Sequence, residues 1–258
     1  DLETSLQELV PLAPLHNPSA LKGLRWARGW APDRPQWACF DTAFHNTLPS
    51  AASTYALPAE LRDQGFRRFG FHGINHQHVA EMISAQWQDE GRPRERLRLI
   101  SAHLGAGASL AAVKAGRCID TTMGYTPLEG LVMASRSGTV DPGLMLELMR
   151  QGWTDDQLSD LLQKRSGLSG LSGFSGDMQE IRHQAGKGHE GAQLALDVFR
   201  HRLLQLIGAM AASLKGVDVL ALTGGIGEHD RKLLSELQDA LDWLPKLQIV
   251  VVPADEEG

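Results

Sequence analysis

The sequence predicts an α/β fold built on a mixed sheet with an antiparallel meander, flanked by helices, and three observations carry that expectation. Short apolar runs rich in β-formers recur along the chain, each bounded by turn residues. Longer segments with helical spacing lie between them. Three consecutive runs are joined by only a few turn residues, too few for a crossover helix, so those three strands must run antiparallel.

The strand-like runs are WACFD (37–41), RRFGF (67–71), LRLISAHL (97–104), ASLAAVKA (108–115), GRCIDTT (116–122), VDVLALT (217–223) and LQIVVV (247–252). HLGAG and KAGR separate the three central ones and make them a meander. Helical spacing covers 75–88, 142–151, 154–164, 187–214 and 227–240, the last two long enough to cover a sheet. The first 36 residues, which carry PLAPLHNP, read as a loop-rich approach to strand 37–41. SGLSGLSGFSGD (166–177) looks like a linker, but its regularly spaced Leu168, Leu171 and Phe174 suit a packed loop.

Composition narrows the function. A chain of 258 residues makes one large or two smaller units. A hydrophobic share of 42%, a charged share of 22% and a net charge of −6 give no basic footprint for nucleic acid. Cys39 and Cys118 have neither disulfide-framework nor metal spacing, which favours a reducing, cytoplasmic setting. The apolar helix-like stretch 203–214 is shorter than the roughly 20 residues a membrane span needs. Small molecules are the expected partners, with no nucleic acid and no membrane.

Candidate chemistry gathers at the strand ends. Gly105 and Gly107 flank Ala106 in the first tight turn, where missing Cβ atoms let backbone N–H groups converge on a phosphate; an ordinary hairpin fits the same residues. LTGGIGEH (222–229) follows the most apolar strand. It has neither G-x-G-x-x-G nor P-loop spacing, and both nucleotide approach and close helix–strand packing stand as readings. His72, at the end of an apolar run, is either a hydrogen-bonding active-site group or a core histidine. His72 and His76 lie one helical turn apart with His78 close by, and metal ligation there would need a third suitable ligand and a fixed shell. Arg136, in the loop MGYTPLEGLVMASRSGTVDPG (123–143), either clamps a carboxylate or phosphoryl group or pairs with Asp141. Asp41, Glu256 and Glu257 are strand-end carboxylates: either one of them serves Mg²⁺ or each is an ordinary exposed group of the kind common at strand ends.

These residues occur in the order and spacing of a known family. FDTAFHNTLP (40–49), RRFGFHGINH (67–76), HLGAGASLAAV (103–113), the block 123–143, SGLSGLSGFSGDM (166–178) and ALTGGIGEH (221–229) resemble the acetate kinases, with APLHNP (13–18) and VVPADEE (251–257) in the same pattern. The resemblance implies a ribonuclease-H-like, actin-like ATPase fold, with residues 1–43 the remnant of an N-terminal domain and 44–258 a nucleotide-binding C-terminal domain. It implies Mg²⁺-dependent (or Mn²⁺-dependent), reversible phosphoryl transfer from ATP to acetate, giving acetyl phosphate and ADP, by a cytoplasmic homodimer. It assigns catalysis to Asp41, His72 and Arg136 and the metal to Glu256. Nucleotide binding falls to His103, Gly105, Ala106, Gly107, Ser109, Asp177, Gly224, Gly225, Ile226 and Gly227.

The chain departs from the family pattern in several places. Ala106 stands where the family usually has Asn, Ile74–Asn75 for Thr-Ser, Gly176 for Ser, Gln179 for Arg and His229 for Asn. An N-terminal phosphate turn and a second active-site arginine are absent from these residues, so the chain reads as incomplete at both ends. A propionate kinase and a non-catalytic nucleotide-binding fragment are the alternative readings.

Overall fold

In the computed structural model, which describes residues 2–10 and 17–255, one five-stranded sheet carries helices on both faces. Two helices, α1 (Leu2–Glu8) and α2 (Asn17–Trp30), precede it, followed by a 3-10 turn at Ala43–Thr47, short helices α3 (Ser50–Ser53) and α4 (Ala59–Arg62), and α5 (Gly73–Asp89). The meander is β1 (Arg98–Leu104), β2 (Ala108–Lys114) and β3 (Arg117–Thr121). Then come α6 (Pro142–Arg150), α7 (Asp155–Lys164), α8 (Gly167–Ser172), α9 (Met178–Ala185) and α10 (Glu190–Leu214). The chain continues through β4 (Val219–Thr223), α11 (Gly224–His229), α12 (Arg231–Ala240) and β5 (Gln248–Val251).

The strand order is β3-β2-β1-β4-β5. The meander is antiparallel as expected, while β4 joins β1 and β5 joins β4 in parallel, each after a helical connection. Period-two alternation decides what each face carries. Ile100, Ala102 and Leu104 of β1, Leu110 and Ala112 of β2, and Leu220 and Leu222 of β4 pack with Phe199, Leu203 and Ile207 of α10. Their neighbours Leu99, Ala111, Val113, Val219 and Ala221 pack with Val79, Ala80 and Ile83 of α5. On that second face the apolar series stops near one end of the sheet, where Ser101, His103, Ser109 and Thr223 are buried instead. Polar groups sealed there must bond one another or the helix above, and they do so in the site described below.

Two of the seven expected strands are not strands. Residues 67–71 touch a partner only through the isolated bridge Arg67–Thr54. Phe69 and Gly70 both donate to the Gly124 carbonyl, and Gly70 turns the chain with φ of 76°. Residues 37–41 lie along the surface, with Trp37 81% exposed, so their alternation faces no core. The first 36 residues are also less loop-like than expected. Pro18 falls in the first turn of α2, where a missing N–H costs nothing, and Glu3 of α1 pairs with Arg25 and Arg28 of α2 at 2.6 and 3.2 Å. SGLSGL forms helix α8 rather than a loop, and the expected helix 227–240 is two, with GGIG inside the first.

Among the described residues no helix is long and apolar enough to cross a membrane.

Candidate active site

Helix α5 begins abruptly at the site. Gly73 N–H donates to the Asp41 carbonyl at 2.7 Å, and His72 N–H donates to Asp41 Oδ2 at the same distance, so one residue caps the helix with both backbone and side chain. A Cβ on Gly73 would collide with that carbonyl, which explains the glycine. His72 takes the left-handed conformation, with φ of 57°, and its ring swings over β2 to bring Nδ1 within 2.8 Å of Ser109 Oγ. Its ring stacks on that of His103, with centroids 4.3 Å apart and planes 26° apart. His103 is fixed from behind by the Asn75 amide, 2.9 Å from its Nδ1.

His76, the next histidine on α5, is fully buried between Ser101 and Ser109, each 2.8 Å from one ring nitrogen. Burial, reinforced by the neighbouring imidazoles of His45, His72 and His103, holds its pKa well below the usual histidine range, so it is neutral. It is a hydrogen-bonding core residue, and no group of three or more metal-ligating side chains occurs among the described residues.

Arg136 approaches from the opposite wall. Its Nη1 donates to the Pro127 carbonyl at 2.7 Å, and burial lowers its pKa from the ordinary value without neutralising a guanidinium. It does not pair with Asp141, whose carboxylate instead caps α6 through Gly143 N–H at 2.8 Å. Among the described residues Arg136 has no carboxylate partner, so a half-buried positive charge faces the cleft unneutralised. Glu129, in the same loop, is occupied elsewhere: Arg68 and Tyr55 bond it at 2.7 and 2.6 Å.

The HLGAG turn divides two cavities. One, of about 790 Å³, is lined by Asp41, His72, His103, Gly107 and Arg136, with an apolar wall that includes Phe69, Phe71 and Tyr125. The other, of about 640 Å³, is lined by Ala134, Asp177, Gln179, Arg182, Ile226 and His229. Gly105, Ala106 and Gly225 border both, so an elongated ligand crossing the turn reaches from one cavity into the other.

Each glycine there has its own reason. Gly105 spends its N–H within the turn on the Gly107 carbonyl at 2.9 Å, leaving the Ala106 and Gly107 amides for a ligand. Gly224 has φ of 79°, and a Cβ would lie 2.9 Å from the Leu104 carbonyl oxygen. Its N–H is taken by Glu228 Oε1 at 3.1 Å, an acceptor that also holds Ala254 N–H at 2.9 Å. Gly224 and Gly227 thus serve close helix–strand packing; Gly224 also borders the first cavity, and Gly225 borders both with open space around it. Asp177 caps α9 through Glu180 N–H at 2.9 Å while bordering the second cavity. Gly176 is held by the Ala134 carbonyl, 2.6 Å from where a Cβ would sit. Arg182, on the same wall, is neutralised by Asp230 at 2.6 Å and Glu236 at 3.3 Å.

The structure therefore brings Asp41, His72, His103, Gly105, Ala106, Gly107, Arg136, Gly224 and Gly225 around one cleft, with Asp177 and Ile226 on its continuation; Ser109 is fully buried behind His72, and Gly227 borders neither cavity. Glu256, the expected metal ligand, lies outside the described residues, as does Glu257. Sequence reasoning missed Ser101, Asn75 and Glu228. Ser101 meets His76, and Asn75 meets His103, only once the register of β1 against α5 is known.

A model described as the Acetokinase family matches residues 1–250. The chain belongs to that family. The acetate kinase of Synechococcus sp. (strain JA-2-3B'a(2-13)) is 52% identical over 229 residues, covering 89% of this chain and 56% of that protein. The acetate kinase of Acaryochloris marina is 48% identical over 244 residues, covering 95% and 60%. The chain thus spans little more than half the length of these acetokinase relatives. Among solved structures, the acetate kinase of Porphyromonas gingivalis superposes with a TM-score of 0.89 at 38% identity, covering 99% of this chain and 69% of that one. A propionate kinase from Francisella tularensis gives 0.90 at 35%, covering 99% and 70%. The ribonuclease-H-like architecture expected from the sequence is the one these acetokinase family members share with it.

Proposed function

We propose that the protein is an acetate kinase, transferring the terminal phosphoryl group of ATP reversibly to acetate to give acetyl phosphate and ADP. The observation that carries this reading is the unneutralised Arg136 guanidinium, facing His72 across the mouth of a glycine turn with free amides. ATP would lie across that turn, with its nucleoside in the cavity bordered by Asp177 and Ile226 and its terminal phosphate beside Gly107. Arg136 would bind the carboxylate and offset charge on the equatorial oxygens, and His72 Nε2 would hydrogen-bond the phosphoryl group in flight. Acetate arrives already ionised, so no general base is needed and the protein's contribution is alignment and charge neutralisation.

The donor set suits a magnesium ion that keeps most of its water. Asp41 borders the cavity and commits one oxygen to His72 N–H, leaving the other for the ion or its water shell. Glu256 is the second carboxylate we assign to it. The ion would neutralise phosphate charge when bound.

We read residues 1–43 as belonging to an N-terminal domain and 44–258 as the nucleotide-binding domain. In support, Leu21 is the one buried side chain among the described residues of the first segment. The family resemblance supports a cytoplasmic homodimer. The apolar side of α10 covers the sheet, so a dimer would use other surfaces.

The apolar wall of Phe69, Phe71 and Tyr125, and the likeness to a propionate kinase, favour propionate as the second substrate to test. One methylene is worth only about 1–3 kcal/mol in such a pocket. Trapping acyl phosphate as the hydroxamate, with ATP, Mg²⁺ and either acetate or propionate, tests the proposal. Acetate should give the higher kcat/KM. Nucleotide binding without acyl phosphate from either acid would leave a nucleotide-binding module instead.

A further inference from the structure

We infer that Ser101, His76 and Ser109 form a directed hydrogen-bond chain that fixes His72 as the tautomer carrying its proton on Nε2, the nitrogen facing the cleft. The contacts run Ser101 Oγ to His76 Nδ1, His76 Nε2 to Ser109 Oγ, and Ser109 Oγ to His72 Nδ1, each 2.8 Å. Ser101, His76 and Ser109 are all fully buried, so no solvent competes for these protons.

Counting protons fixes the direction. A neutral imidazole has one N–H and one acceptor nitrogen, and a hydroxyl has one proton to give. If Ser101 donates to His76 Nδ1, then His76 Nε2–H donates to Ser109, Ser109 donates to His72 Nδ1, and the remaining His72 proton sits on Nε2. All three bonds form and each donor is used. Reversing the chain also makes three bonds, but it leaves the Ser101 O–H buried with no acceptor, since His76 is its only hydrogen-bond partner among the described residues. A buried donor without a partner is the costlier fault. The residue that sets the direction is therefore Ser101, which does not touch His72.

The adjacent ring is set the same way by separate contacts. Asn75 Oδ1 accepts Asp255 N–H at 3.0 Å, which orients the amide, so Asn75 Nδ2 donates to His103 Nδ1 at 2.9 Å. Both stacked imidazoles then turn an Nε2–H toward the phosphate side of the turn. Ser101, His76, Ser109 and Asn75 are positioning residues, and the inference rests on the phosphoryl-transfer reading for its consequence in catalysis.

Nitrogen-15 NMR of histidine side chains in the full-length protein tests it, with His72→Gln identifying the His72 signals. The wild type should show His72 protonated at Nε2 and bare at Nδ1. In Ser101→Ala one direction leaves His76 with a bare acceptor and the other with a bare donor, so the gap between them narrows and the Nδ1–H tautomer of His72 should become detectable. The kcat should fall in proportion to the Nε2–H population that is lost, with KM for ATP and acetate little changed. Ser101→Thr, which keeps the hydroxyl, should restore the wild-type signature. A wild-type His72 protonated at Nδ1 overturns the inference whether or not the enzyme is active, and so does an Ser101→Ala protein that retains a pure Nε2–H tautomer. The expected tautomers in a protein that makes no acyl phosphate would support the chain and sink the functional proposal alone.

Discussion

Gly107 lacks a side chain where His72 needs the space: Nε2 of His72 lies 3.1 Å from the position a Cβ on Gly107 would occupy, and Arg136 Nη2 lies 3.3 Å from the same point. The imidazole and the guanidinium thus converge on a spot kept clear by a glycine. Gly107→Ala should leave the fold intact, because nothing in the core touches that point. It should displace either the imidazole or the guanidinium by a few tenths of an ångström to an ångström. Misplacement of about 1 Å costs on the order of 10²-fold in turnover. Steady-state kinetics alongside thermal melting will separate a loss of kcat from a loss of stability.

Gly224 predicts the opposite pattern. Its φ of 79° and the Leu104 carbonyl oxygen 2.9 Å from a would-be Cβ make alanine strained and crowded there. Gly224→Ala should cost about 1–3 kcal/mol of stability, read from urea unfolding. Gly225→Ala, at a position with open space around it, should unfold like the wild type and instead weaken nucleotide binding.

The meander was legible in the sequence because its turns are too short for anything but antiparallel neighbours, and the turn at 105–107 stood out because its side chains had been pared away. Arg136 was legible as a candidate, but its freedom from Asp141 was not. That depended on Asp141 finding a backbone amide two residues along. The polar cluster behind His72 was hidden for a different reason. Ser101 and His76 are 25 residues apart and meet only because β1 presents alternate residues to α5. Helix α2 was obscured by Pro18, which sits in its first turn, where it is harmless.

Stability at low pH should hinge on Asp218, which joins the start of β4 to β1. Burial pushes its pKa up, but the Arg98 side chain and backbone N–H outweigh that and leave the carboxyl below its ordinary value of 3.8. A folded-state value below the unfolded one adds stability that is complete above the unfolded pKa and is lost as pH falls through the folded one. Urea midpoints should therefore drop as pH falls below about 4. In Asp218→Asn this contribution should vanish, giving a protein weaker at neutral pH and less acid-sensitive by comparison.

Arg136 carries the central claim that charge at the cleft acts on the phosphoryl group in transit. The direct measurement compares Arg136→Ala with the wild-type full-length protein in two assays, turnover to acetyl phosphate and calorimetric binding of ADP. The proposal predicts a fall in kcat of about 10²–10³-fold with ADP affinity nearly unchanged, because the guanidinium lines the cavity we assign to the acceptor and not the one we assign to the nucleoside. Turnover that survives the substitution, or a loss confined to ADP binding, would contradict it.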